Sequence, residues 1–68
     1  VDLFEETFIK ASVYNLQGQL IETIYEGFLN QGFNKLTWNA NNKPSGIYFI
    51  NIENSGVSIA NYKISLLK

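Results

Sequence analysis

With no histidine and no cysteine among its 68 residues, the chain lacks the commonest bases, thiol nucleophiles and metal ligands. That removes most acid–base, thiol and zinc chemistry. The carboxylates that remain are Asp2, Glu5, Glu6, Glu22, Glu26 and Glu53. Glu5-Glu6 could in principle serve as a catalytic pair or as calcium ligands, but adjacent acidic residues beside a turn are far more often solvated charges. Asn39, Asn41 and Asn42 offer amide oxygens without the carboxylates that a hard cation prefers, so turn formation accounts for them better. Gly18, Gly27, Gly32, Gly46 and Gly56 stand singly at expected turns, and none opens a helix to cradle a phosphate. No residue is assigned a catalytic, cofactor-binding or metal-binding role.

Aromatic side chains are the other candidates, because a row of them on a flat sheet face can stack against sugars. Trp38 and Tyr48 fall in phase with core aliphatics, so packing claims them first. Phe33 and Phe49 fall on the opposite faces of their strands. Exposed there, they could form a contact patch with a ligand, a partner domain or a preceding strand. Packing against a preceding strand is the simplest of the three.

What must position these residues is a set of short alternating runs separated by Gly, Asn, Ser and Pro, the signature of strands and turns. Residues 1–4 read as the end of a strand, with Glu5-Glu6 as a turn. Residues 8–15 follow as a strand with Ile9, Ala11 and Val13 on one face and Lys10 and Ser12 toward water. Gln17-Gly18 connects tightly into residues 19–26, where Ile21 and Ile24 break the period of two and predict a bulge or strong twist. Gly27 is expected to end that strand. Asn30-Gln31-Gly32 turns into a strand at 33–39, with Leu36 and Trp38, the natural core anchor, on one face. A loop follows over 39–46, rich in Asn and holding Pro44 and Gly46. Residues 47–54 form a strand with Tyr48, Ile50 and Ile52 inward, and Asn54-Ser55-Gly56 closes a hairpin onto the last strand. That strand changes parity between Ile59 and Tyr62, which predicts a bulge near Ala60-Asn61 and lets it serve both sheets. The expected fold is all-β, an immunoglobulin-like antiparallel β-sandwich of about six strands in one domain, 1–68.

A chain this short buries only about 60% of its unfolded surface, and a core of this size supplies ~3–5 kcal/mol without disulfides or metals. Its 46% hydrophobic and 15% aromatic content is nonetheless rich enough to pack and argues against disorder. A formal net charge of −1 provides no basic stripe for a phosphate backbone, which excludes nucleic acid as a partner. Freedom from cysteine fits passage through an oxidising compartment. No run approaches the ~18 apolar residues of a membrane span. Opening on Val1-Asp2-Leu3 rather than Met, and ending inside an amphipathic strand, the chain reads as a piece of a longer polypeptide whose export signal lies elsewhere.

Four segments in order carry a family resemblance: Val13-Tyr14-Asn15-x-x-Gly18-Gln19, Gly32 followed by Leu36 and Trp38, Ser45-Gly46-Ile47-Tyr48, and the closing Lys63-Ile64-Ser65-Leu66-Leu67-Lys68. The pattern resembles the type A C-terminal sorting domain of type IX secretion, found on proteins exported by Bacteroidetes and their relatives. The likeness runs over nearly the whole chain through many weak positions. It implies an immunoglobulin-like sandwich at the end of a secreted cargo protein, recognised by the outer-membrane machinery after crossing the periplasm and often removed by a sortase-like protease. The cargo is then attached to the cell surface or released. Carried over, the recognition signal maps to Ser45, Gly46 and Tyr48 and to Lys63, Ile64, Leu66, Leu67 and Lys68. Family members usually begin with an Asn-Pro segment leading into a first strand. Here the chain opens inside that strand, so a truncated N-terminal strand is expected, with an unpaired edge that invites edge-strand dimerisation. Ser65 stands where the family more often has an aliphatic residue, which is harmless on a solvated face.

Three other readings share the fold. One is a generic immunoglobulin-like or fibronectin-like accessory or adhesion module of an extracellular protein. The second resemblance, to the immunoglobulin-like domain of flagellar hook-capping proteins, shares the Tyr-Asn-x-x-Gly and Ser-Gly-x-Tyr features and implies an assembly part. A small carbohydrate-binding sandwich would need Phe33, Phe49 and Tyr62 exposed in a row.

Overall fold

The structure is a computed structural model that describes residues 1–67. Six strands make it up: β1 (Asp2–Leu3), β2 (Thr7–Asn15), β3 (Leu20–Leu29), β4 (Gly32–Phe33), β5 (Gly46–Asn54) and β6 (Val57–Leu66). They form two antiparallel sheets, one of order β3-β2-β5-β6 and one pairing β1 with β4. The expected small all-β sandwich is what forms.

Alternation decides which face packs. Ile9, Ala11 and Val13 of β2 are fully buried, and Tyr48 and Ile52 of β5 join them from the neighbouring strand. Leu3 of β1 closes over Ile9, Ala11 and Ile52, with Val1, Ile24, Tyr25, Leu29, Leu36, Ile50 and Ala60 packed around that cluster. Core-facing positions thus come from both layers, as a sandwich requires. Ser12, expected to face water, is fully buried, and its Oγ has no hydrogen-bond partner among the described residues.

The register breaks anticipated at Ile21 and Ile24 are both present. Ala11 pairs with Tyr25 but Ser12 with Thr23, leaving Ile24 as the extra residue, and Val13 pairs with Glu22 but Tyr14 with Leu20, leaving Ile21. In β6 the bulge falls slightly earlier than expected: Ile52 pairs with Ala60 and Glu53 with Ser58, so Ile59 is the inserted residue.

Three expectations are corrected. Gly27 does not end β3, which runs to Leu29. Tyr25 lies two residues away on the same face and its ring leans along the strand over Gly27, where its hydroxyl donates to the Phe28 carbonyl at 2.8 Å. A Cβ at Gly27 would stand 3.3 Å from the Tyr25 Oη, so glycine here makes room for a ring within a strand. Among the described residues, the expected strand at 33–39 pairs through Gly32–Phe33 and through an exchange of two hydrogen bonds between Asn34 and Val1, and no further. Residues 34–40 keep the strand's alternation, with Asn34, Leu36, Trp38 and Ala40 half-buried and Lys35, Thr37 and Asn39 exposed, but 35–40 have no ladder among the described residues. Third, β6 pairs with β5 alone among the described residues and is a sheet edge rather than a strand shared by both sheets.

Candidate functional site

One end of the larger sheet gathers the segments that the sequence singles out. β2 reaches this end at Asn15 and β3 leaves it at Leu20, while β5 begins here at Gly46 and β6 finishes here at Leu66. A cleft of about 640 Å³ opens between the two chain reversals, lined by Asn15, Leu16, Leu20, Ser45, Gly46 and Tyr48 among others.

Local chemistry fixes both walls. Leu16, Gln17 and Gly18 form a three-residue hairpin loop, in which the Gly18 amide donates to the Asn15 carbonyl at 3.0 Å and Gly18 adopts φ 82°. Asn15 latches it: its Oδ1 accepts from the Gln19 amide at 2.9 Å and its Nδ2 donates to the Gln19 Oε1 at 2.8 Å. On the other wall, the Tyr48 hydroxyl donates to the Pro44 carbonyl at 2.7 Å and holds the loop that leads into β5. Asn39 Oδ1 accepts from the Asn41 amide and the Lys43 amide donates to the Ala40 carbonyl, so the asparagines of this loop build turns.

Trp38 sits at the same end rather than in the central cluster. Its ring meets Tyr48 edge-on at a centroid distance of 5.1 Å, and its Nε1 donates to the Glu22 Oε1 at 2.8 Å. The same Glu22 oxygen lies 3.8 Å from Lys43 Nζ. The charge-assisted indole bond is the stronger of the two contacts, since a half-exposed ion pair is worth little. Sequence reading missed Glu22 as a brace. The available signal was an indole N–H destined for partial burial, which needs an acceptor.

The proposed recognition residues divide by environment. Tyr48 is 5% exposed and spent on the loop and Trp38. Ile64 and Leu66 sit opposite Tyr48 and Gly46 and are half-buried on the inner face. Ser45, Gly46, Lys63 and Leu67 are exposed, Leu67 to 89%. Lys68 lies outside the described residues. Elsewhere, Phe49 pairs with Lys63 on the outer face, Tyr62 pairs with Ile50 on the inner face and Phe33 belongs to the other sheet, so these three aromatics form no row for a sugar. Among the described residues no group of three or more acidic side chains gathers where a metal ion could be held.

The profile of the family described as "Secretion system C-terminal sorting domain" matches residues 1–65. The chain belongs to this family. No curated protein and no solved structure matches it. The sorting domain is the C-terminal signal of type IX secretion, which sends its cargo through the periplasm to the cell surface or beyond. In this sorting domain, the segments that the sequence reading singled out largely shape one end of the sheet: the Asn15 latch, the Gly18 turn, Tyr48 beneath Pro44, and the last strand.

Proposed function

We propose that the export machinery reads the sorting domain at this end of the sheet, with β6 and the residues after it as the principal contact. The observation that carries this reading is convergence. Three segments distant in sequence, 15–19, 44–48 and 63–67, end side by side. β6 is also a sheet edge ten residues long, and its outward main-chain groups can accept or donate bonds to a strand of the receptor. Lys63 then meets carboxylates on that partner, and the exposed Leu67 supplies an apolar anchor. The half-buried Ile64 and Leu66 keep the strand in register. Tyr48 acts beneath the surface by fixing Ser45 and Gly46. The domain works as a non-enzymatic label, and removal by a sortase-like protease after export suits a part with no chemistry of its own.

The test is a cargo fusion in a host that has the type IX machinery, with residues 63–68 deleted or scrambled. Loss of export with the β-sheet circular dichroism spectrum intact is the expected result. Unchanged export of such a folded variant would refute the reading.

A further inference from the structure

The outer face of the larger sheet, turned away from β1 and β4, is banded by the cross-strand register. Leu20, Tyr14, Phe49 and Lys63 are successive partners in the row that crosses all four strands nearest the recognition end. Thr23, Ser12, Asn51 and Asn61 make the next row, and Glu26, Lys10, Glu53 and Ser58 the one beyond. The second and third rows are matched within the sheet. Asn51 Oδ1 accepts from Ser58 Oγ at 2.6 Å and from Asn61 Nδ2 at 3.4 Å, and Lys10 stands between two glutamates. The first row is apolar as far as Lys63 and is not matched. Leu20 is 56% exposed, Tyr14 and Phe49 are half-exposed, and neither the Tyr14 hydroxyl nor the Lys63 ammonium has a partner among the described residues. Phe49 faces away from the layer that holds β1, so packing against a strand of that layer, the simplest expectation from its phase, does not claim it.

We propose that this row is a second contact surface for the export receptor, and that it takes an acidic, apolar protein surface: apolar side chains laid across Leu20, Tyr14 and Phe49, with a carboxylate beyond them at Lys63. The inference deepens the proposed recognition at this end of the sheet and rests on it, because Lys63 belongs to both contacts. Continuity is one argument for the occupant, since a receptor seated on the β6 edge reaches Phe49 and then Tyr14 as the next strands inward. Three strand spacings make the row about 14 Å long, enough to seat two or three side chains. Charge is the other argument. The row's single charge is positive, and a carboxylate meeting it beside the Phe49 ring is drawn out of water, where the pair fixes register and excludes wrong partners. A second copy laid on the same row brings no carboxylate, because the acidic side chains of this face lie two rows away. A flat anionic membrane would have to approach Glu26 and Glu53 on the same face.

The experiment measures export of a cargo fusion in a host with the type IX machinery, with circular dichroism confirming the fold of each variant. Tyr14→Thr with Leu20→Thr should lower the exported fraction about tenfold, and Leu20→Ser alone, at an exposed position, should lower it by a smaller factor even if the double variant does not fold. Lys10→Thr with Glu26→Thr, in the third row, should export like the unaltered domain. Normal export of the folded first-row variants, or equal loss in the third-row pair, would overturn the proposal. So would a dimer of the free domain in sedimentation, or its flotation with phosphatidylglycerol vesicles, that the first-row substitutions abolish, since either gives the row to another occupant. Loss of export on deleting residues 63–68 together with normal export of the first-row variants overturns the second surface alone. Export that survives that deletion overturns the reading on which it rests.

Discussion

Tyr48 and Ser12 are hydroxyl residues in neighbouring strands of one sheet, and burial treats them oppositely. The Tyr48 hydroxyl is bonded to the Pro44 carbonyl, whereas the Ser12 Oγ is buried without a partner among the described residues. Tyr48→Phe should therefore lower the unfolding free energy by about 1 kcal/mol, while Ser12→Ala should leave it unchanged or raise it by up to ~1 kcal/mol. Urea denaturation of both variants checks the difference in sign. The inward direction of Tyr48 was legible from its phase with Ile50 and Ile52. What its hydroxyl holds was not, because Pro44 comes within reach only through the loop's turns at 39–43. The burial of Ser12 was hidden for a related reason: period two assigns a face, and the face opposite the core is expected to be wet.

At the scale of elements, turn chemistry and parity were the readable signals. Apolar residues three apart cannot share a face of a regular strand, so Ile21 and Ile24 announced their bulges. The closing hairpin is a two-residue loop with Ser55 at φ 52° and Gly56 at φ 82°, which places both central residues in the left-handed region favoured by Asn-Gly. Ser55→Asn should raise stability by about 0.5 kcal/mol, measured as an increase in the denaturation midpoint. Gly18 sits at φ 82°, and the space a Cβ would occupy there is open, with nothing within 4 Å. Gly18→Ala should therefore cost about 1 kcal/mol through backbone strain alone, read from the same denaturation curves. The extent of β3 was not legible, since it depends on Tyr25 covering Gly27. Nor was the missing ladder of 35–40, because pairing belongs to two segments and a sequence pattern reports on one.

Across the whole molecule, the two layers are unequal, and the larger sheet leaves β6 at its edge with Tyr62 and Ile64 along an open groove. The far end, with the Ser55-Gly56 turn and the Phe8–Phe28 ring pair, carries none of the residues proposed for recognition. Export should therefore depend on which end is altered. The most direct measurement is the fraction of a cargo fusion that reaches the medium or cell surface for two folded double variants, Lys63→Glu with Leu67→Ser at one end and Phe28→Thr with Val57→Thr at the other. All four positions are exposed. The account predicts that the first pair holds cargo in the periplasm and that the second exports like the unaltered domain. Equal export by both, or retention only of the second pair, would contradict it.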